Sequence, residues 1–320
     1  MNRKTFIKLT SISGIGITLL PNCAETNSHF PFQPNQTLAF IGDSITYGGD
    51  YINFLDLYFT LNHPHLNLRL INLGLSSETV SGLSEKDHPF PRPVIFDRLD
   101  QILDYVKPDI ASFWYGVNCG IYNPFSESRF QAYQQGIEKL IDTAVSRNIA
   151  PILLTPAPLA MPEAEKEKLR ALNDTNYMYS NPYPEYNEEV LARYREFINE
   201  WEQPKLKAKV DAFQILMKGA QQAYNQDFIH PNRTGHWMIA DGFFKALGFE
   251  EGLKNISPNL SETQKPLFEL IREKNEIYRD ALVFNLGALN YWKKDYLSLE
   301  EAEQKVADLR KEIREMVAAQ

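Results

Sequence analysis

The sequence predicts an α/β fold, a parallel sheet covered by helices on both faces and followed by a helical C-terminal extension. Short apolar runs alternate with stretches of helical periodicity from about residue 37 to residue 247. That alternation is the signature of strand–helix–strand units, whose crossovers cover both sheet faces. Reactive residue types also fall where the runs stop, and an open α/β sheet places its functional groups at the carboxyl ends of its strands.

Thr37–Ile41 is the first strand, an apolar run that stops at Gly42-Asp43-Ser44. Tyr51 to Asn62 carries Ile52, Leu55, Tyr58 and Phe59 at helical spacing. Leu66–Asn72 alternates apolar and polar residues and reads as a strand ending at Leu73-Gly74. Val94 to Val106 is a helix closed by Pro108, and Asp109–Tyr115 is a third strand that runs into Gly116-Val117-Asn118. Ser126 is placed to cap a long helix reaching Arg147. Pro151–Thr155 is a fourth strand, stopped by Pro156 and Pro158.

Residues 157–184 are polar, rich in Pro and Asn, and read as an insertion over the strand ends. A helix from about Asn187 to Glu202 and a short fifth strand, Val210–Phe213, follow. A further helix, the loop Asp227–Pro231 and a helix from Thr234 to Leu247 complete the domain. Right-handed crossovers bring the loops after the strands to one edge, which gathers Ser44, Gly74, Asn118 and His230. Residues 248–320 carry helical patterns and no clear strand. Leu299 to Val317 presents Ala302, Val306, Leu309, Ile313 and Met316 on one face. That face either packs on its own domain, the commoner use of such a helix, or serves a homodimer.

Composition narrows the function. The chain has 320 residues, 43% hydrophobic and 23% charged, with a net charge of −8. The acidic balance argues against nucleic acid as partner. Two cysteines, Cys23 and Cys119, are too few for a disulfide framework or a Cys-rich zinc site. His63-Pro64-His65 reads as a surface turn with no third metal ligand near it, so no metal and no cofactor are expected. Residues 1–24 read as an export signal: Arg3, Lys4 and Lys8 precede an apolar stretch, Leu9 to Leu20. At about a dozen residues that stretch is shorter than the roughly 20 needed to span a bilayer. Asn2 to Lys8 resembles a twin-arginine signal with Lys4 at the second arginine. Cys23, after Leu20-Pro21-Asn22, is a lipidation candidate, although Asn22 stands where a small residue is usual. The expectation is an exported protein, either free or anchored through lipid on Cys23, with residues 25–36 as a linker.

The chemistry-bearing residues are a nucleophile, a base and a carboxylate. Ser44 can attack a carbonyl, His230 can take its proton, and Asp227 can fix the tautomer of the histidine. The backbone N–H of Ser44, the backbone N–H of Gly74 and the side-chain amide of Asn118 are candidate donors to the oxyanion. Singly, each segment also reads as a turn or cap; their order and their strand-end placement favour the chemical reading. Tyr47, Gly48 and Asp50 follow the serine and are candidates for the rim of a substrate pocket. No Gly-x-Ser-x-Gly elbow is present, which argues against an α/β-hydrolase fold.

These blocks resemble those of the SGNH/GDSL hydrolase family. Gly42-Asp43-Ser44 is similar to its serine block, Gly74 falls where the family keeps a glycine, and Gly116-Val117-Asn118 is similar to its Gly-x-Asn block. Asp227-x-x-His230-Pro231 is similar to its Asp-x-x-His block, and the resemblance runs from about Leu38 to Ala246. It implies a flavodoxin-like three-layer α/β/α sandwich on a five-stranded parallel sheet, and hydrolysis of carboxylic esters through an acyl-enzyme. It also implies no required metal, with Ser44, His230 and Asp227 as triad and Ser44, Gly74 and Asn118 as oxyanion hole. Cys119 stands where the family usually has an aspartate, so one fixing of the Asn118 loop is missing and a second thiol nucleophile is an alternative. The expected substrate is a small ester, an acetylated glycan foremost. A lysophospholipase or thioesterase is the alternative, and a non-catalytic carbohydrate-binding or surface protein is the alternative of another class.

Overall fold

The structure is a computed structural model that describes residues 31–172, 176–288 and 295–319. The export signal, Cys23 and half of the expected linker, residues 25–30, lie outside the described residues. Pro31–Gln320 is one compact unit by its internal contacts.

Five strands form one parallel sheet: β1 Thr37–Gly42, β2 Arg69–Asn72, β3 Ile110–Trp114, β4 Ala150–Leu154 and β5 Ala208–Val210, in the order β2-β1-β3-β4-β5. The helices are α1 Ser44–Gly48, α2 Asp50–Asn62, α3 Leu99–Val106, α4 Glu127–Ser146, α5 Glu163–Ala171, α6 Ala192–Glu200, α7 Ala212–Met217, α8 Ala220–Ala223, α9 Arg233–Ala246, α10 Gln264–Asn285 and α11 Leu299–Ala318. β1 is buried along its whole length, as a central strand covered on both faces must be. Strand order reverses between β1 and β3, so the loops after these two strands part around a crevice. Ser44 follows β1 and Asn118 follows β3. This is the α/β/α fold that the sequence predicts.

The boundaries differ locally. Pro64–Leu66 is a turn of 3₁₀ helix and Asn67 takes φ 45°, so β2 starts at Arg69 rather than Leu66. The fifth strand stops at Val210, because Asp211 caps α7 by accepting from the Gln214 N–H at 3.1 Å, and Phe213 is helical. Ser126 sits at the N-cap of α4, but its hydroxyl bonds to Ser128 Oγ at 3.0 Å instead of to the helix backbone. The insertion carries a helix of its own, α5.

The C-terminal extension folds back on the domain. Ala302, Val306, Leu309 and Ile313 of α11 are buried, and α11 packs chiefly on α10. The apolar stripe considered for a homodimer is therefore covered within the chain. α10 in turn packs on α2 and β2, where Lys274 Nζ meets Asp56 Oδ2 at 2.5 Å and Asn275 Nδ2 donates to Asn53 Oδ1 at 2.8 Å. Among the described residues, no helix is long and apolar enough to cross a membrane.

Candidate active site

β1 delivers Ser44 through a tight exit. A side chain at Gly42 would put its Cβ 2.3 Å from Thr46 Oγ1 and 2.8 Å from the Trp114 carbonyl, so only glycine fits between α1 and β3. Asp43 caps α1 by accepting from the Ile45 N–H at 3.0 Å. Ser44 is the first residue of α1, and its N–H has no partner among the described residues. The Asp43 carboxyl is buried, and burial pushes its pKa up to about 7 against the lowering effect of the Ile45 N–H.

The loop before α9 supplies the other half. Phe228 takes φ 61°, which folds the chain back so that Asp227 Oδ1 accepts from the N–H groups of Ile229 and His230, both at 2.9 Å. Asp227 Oδ2 meets His230 Nδ1 at 2.7 Å, and His230 Nε2 meets Ser44 Oγ at 2.8 Å. An ionised carboxylate only accepts, so Nδ1 carries the proton and Nε2 of the neutral ring accepts from the serine hydroxyl. Burial raises the Asp227 carboxyl, but the backbone and ring donors of His230 and the Ile229 N–H outweigh it and hold it below the usual range. The insertion braces this loop: the Ala160 N–H donates to the Phe228 carbonyl at 2.8 Å.

Asn118 lies buried beside Ser44. Tyr122 Oη donates to its Oδ1 at 3.0 Å, and its Nδ2 donates to the Glu78 carbonyl at 3.3 Å. These two bonds fix which way the amide points, and the second Nδ2 hydrogen is left over. Cys119 takes no part in that fixing through charge. It is fully buried in the core, and burial raises its thiol to about 12, so it is no alternative nucleophile.

Two expectations are corrected. The Gly74 N–H donates to Asn72 Oδ1 at 2.9 Å, and Gly74 does not line the cavity. Glycine is required there for another reason, since a Cβ would lie 2.2 Å from the Tyr47 backbone nitrogen of α1. Its place at the cavity is taken by Ser77, which has φ 65° and whose N–H has no partner among the described residues. The rim residues also point elsewhere. The Tyr47 ring lies under the Arg279 guanidinium at 3.9 Å, its hydroxyl donates to Asp280 at 3.1 Å, and Asp50 accepts from Asn53 Nδ2 at 3.0 Å. Tyr47 thus braces α1 against the C-terminal extension, and none of Tyr47, Gly48 and Asp50 lines the cavity.

The cavity itself holds about 250 Å³ and is lined by Ser44, Ser77, Asn118 and His230 on its polar side. His88, Phe90 and Tyr179 form the facing wall, with His88 edge-on to both aromatic rings at 4.7 and 5.8 Å. Arg92 closes the wall, pairing with Glu85 through two bonds of 2.5 and 2.7 Å and donating to the Ser77 carbonyl at 3.3 Å. Behind Ser77, Glu78 is fully buried and receives Arg98 at 2.6 and 2.7 Å and Tyr115 Oη at 2.5 Å. Sequence reasoning missed Ser77, Glu78, Arg92 and the aromatic wall. The available signal was the turn-forming Ser76-Ser77 pair just past β2, beside an acid whose arginine partner lies far along the chain. Among the described residues, no group of three or more His, Cys, Asp or Glu side chains gathers as a metal site.

Comparison with solved structures finds similar chains at low identity. A gut microbial diltiazem-metabolizing enzyme is 22% identical over 68% of this chain, with a TM-score of 0.49, and this chain covers 48% of that enzyme, about half its length. A catalytic mutant of an acetylxylan esterase from Geobacillus stearothermophilus is 21% identical, with 68% of this chain and 97% of that one covered and a TM-score of 0.47. A GDSL-like lipase from Bacteroides thetaiotaomicron is 16% identical, with 67% and 88% covered and a TM-score of 0.42. Comparison with curated proteins gives no match. A sequence model described as the GDSL-like Lipase/Acylhydrolase family matches residues 40–238, which include all four blocks. The chain belongs to that family, the SGNH/GDSL group of ester hydrolases.

Proposed function

We propose that this ester hydrolase cleaves short acyl esters, acetyl groups on carbohydrate foremost, through an acyl-enzyme on Ser44. The observation that carries the reading is the unbroken line from Ser44 Oγ to His230 Nε2 at 2.8 Å and from His230 Nδ1 to Asp227 Oδ2 at 2.7 Å, at a small cavity. Ser44 Oγ attacks the ester carbonyl carbon while its proton passes to His230 Nε2. Asp227 holds the ring and balances the imidazolium charge. The carbonyl oxygen becomes an oxyanion facing the N–H groups of Ser44 and Ser77 and the free Nδ2 hydrogen of Asn118. One such donor is typically worth about 2.7–4 kcal/mol of barrier. His230 returns its proton to the departing alcohol. Water then repeats the sequence on the acyl-serine and releases the acid. A cavity of about 250 Å³ suits a short acyl group, and the faces of Phe90 and Tyr179 suit the apolar faces of a sugar ring.

We also propose export, which the basic and apolar residues 1–24 support, with Cys23 as the candidate anchor. Sequencing the mature N-terminus from fractionated cells, with fatty-acid labelling of wild type and Cys23→Ala, tests both parts. An uncleaved N-terminus in the cytoplasm ends the first, and label that survives Cys23→Ala ends the second.

Hydrolysis of p-nitrophenyl esters of graded chain length, followed by acetate release from acetylated polysaccharides, tests the substrate. A preference for long chains with no acetate released from any glycan overturns the acetyl reading in favour of a lysophospholipase or thioesterase. A fluorophosphonate should label the wild type and leave Ser44→Ala unlabelled. No labelling of the wild type, with no turnover, would indicate a binding protein on this scaffold.

A further inference from the structure

Away from the strand ends, a second cavity of about 360 Å³ lies where the end of α11 meets α2 and the 63–68 turn. Its floor is apolar, formed by Phe59, Leu68, Ile313 and Val317. An adjoining cleft of about 350 Å³ runs along α11 towards β2 and α10, and the two share Arg310 and Arg314. Arg69 at the start of β2 also lines the cleft. Three arginines therefore line the cleft, two of them shared with the apolar pocket, in a chain whose net charge is −8.

None of the three forms an ion pair among the described residues, whereas the buried cations of the chain are closely paired. Arg92, Arg98 and Lys274 each meet a carboxylate within 2.5–2.6 Å. The two acids that line the cavity and the cleft are engaged elsewhere: Asp56 receives Lys274 and Asn275, and Glu303 accepts from Tyr105 Oη at 2.7 Å. Arg310 is half-buried. Burial lowers its pKa, Asp56 opposes that, and Arg69 and Arg314 add to it. Like charges gathered in a partly desolvated place are costly without a counter-charge. An anion bound among them would supply it, and guanidinium forks are suited to carboxylate and phosphate.

We infer that this pocket binds a monomeric amphipathic anion, an acyl or alkyl chain bearing one carboxylate or phosphate. The head lies among Arg69, Arg310 and Arg314, and the chain lies over Phe59, Leu68, Ile313 and Val317. A volume of about 360 Å³ falls within the range of small-molecule sites, roughly 300–1,000 Å³. The apolar floor excludes a bare inorganic anion as the best-fitting occupant, and the arginines exclude a neutral lipid. The site is separate from the Ser44 cavity, with which it shares no lining residue, so the inference stands apart from the proposed substrate.

Isothermal titration calorimetry with decyl phosphate below its micelle concentration tests it, with inorganic phosphate and decanol as the head alone and the chain alone. Decyl phosphate should bind at one site, at least about tenfold more tightly than either fragment. Arg314→Gln should weaken decyl phosphate about tenfold, and Arg310→Gln with Arg314→Gln should weaken it further. Val317→Glu should weaken decyl phosphate and leave inorganic phosphate little changed. Hydrolysis of p-nitrophenyl acetate should stay within about twofold of wild type in each variant, because these residues lie away from Ser44. Arg314 is exposed, so its single variant decides the matter even where the double variant does not fold. Unchanged binding in Arg314→Gln, or decanol binding as tightly as decyl phosphate, overturns the inference. So does Arg314-dependent sedimentation with phosphatidylglycerol vesicles in the absence of any binding of decyl phosphate, which would assign the site to a membrane surface.

Discussion

Ser44 and His230 meet at 2.8 Å, yet the chain holds them in different ways. On the serine side, Asp43, Glu78 and Asn118 are buried, and Glu78 ties that side to residues far along the chain, receiving Arg98 and Tyr115 on its carboxylate and Asn118 on its carbonyl. On the histidine side, the Asp227 and His230 side chains are 48% and 39% exposed, and one carboxylate fixes the loop by bonding to residues two and three positions ahead. The serine side is thus part of the folded core, and the histidine side is a local turn set upon it. Stability and activity should therefore be coupled on the serine side and separable on the histidine side.

The largest effect tests the separable side. His230→Ala should lower kcat/KM on p-nitrophenyl acetate by about 10⁵–10⁶-fold, and Asp227→Asn by about 10³–10⁴-fold, because the second keeps a base that is only poorly oriented. In urea unfolding, His230→Ala should change stability by no more than about 0.5 kcal/mol, as expected of an exposed position, and Asp227→Asn should cost only about 1 kcal/mol at neutral pH, for the weakened bonds to its carboxylate. A loss of several kcal/mol in either variant would show that the loop belongs to the core after all.

Glu78→Gln tests the coupled side. It leaves the Arg98 guanidinium buried without its carboxylate, and breaking a buried pair from one end costs about 3–5 kcal/mol. Activity of the folded fraction should fall as well, because the Glu78 backbone holds the Asn118 amide and follows Ser77 directly. Urea unfolding and initial rates on the same preparation check both. Wild-type stability would break the contrast between the two sides.

The same contrast explains what could be read from the sequence. Asp227-x-x-His230 was legible because its carboxylate, its two backbone donors and its imidazole all lie within four consecutive residues. Ser44 was legible because the end of β1 and the glycine exit are local features. Ser77 was not: its φ of 65° and its place at the cavity follow from Glu78 reaching Arg98, 20 positions away, and from Arg92 reaching back to its carbonyl. Gly74 was misread for the same reason, since only the packed structure shows α1 pressed against it and Asn72 occupying its N–H. The sheet, its order of elements and the helical extension followed from periodicity. The covering of the α11 stripe by α10 is a tertiary fact that an amphipathic pattern does not contain.

The two carboxylates beside the catalytic line should respond to pH with opposite signs. Asp43 is raised from 3.8 to about 7 by burial, so the folded state holds its proton more tightly than the unfolded chain does. Its contribution to stability is fully present below pH 3.8 and is lost as pH rises to about 7, a total of roughly 4 kcal/mol at about 1.4 kcal/mol per unit. Asp227 is lowered by its donors, so its contribution is present above the unfolded value and is lost as pH falls through the folded one. Asp43→Asn keeps an acceptor for the Ile45 N–H and removes the titration, so between pH 4 and pH 8 it should gain stability relative to wild type. Asp227→Asn should lose its deficit relative to wild type on the acid side, below about pH 4. Thermal unfolding of the three proteins across pH 3–8 measures both slopes. Parallel curves for Asp43→Asn and wild type would mean that the Asp43 carboxyl is solvated in the folded protein, and the serine side would then be less closed than its packing indicates.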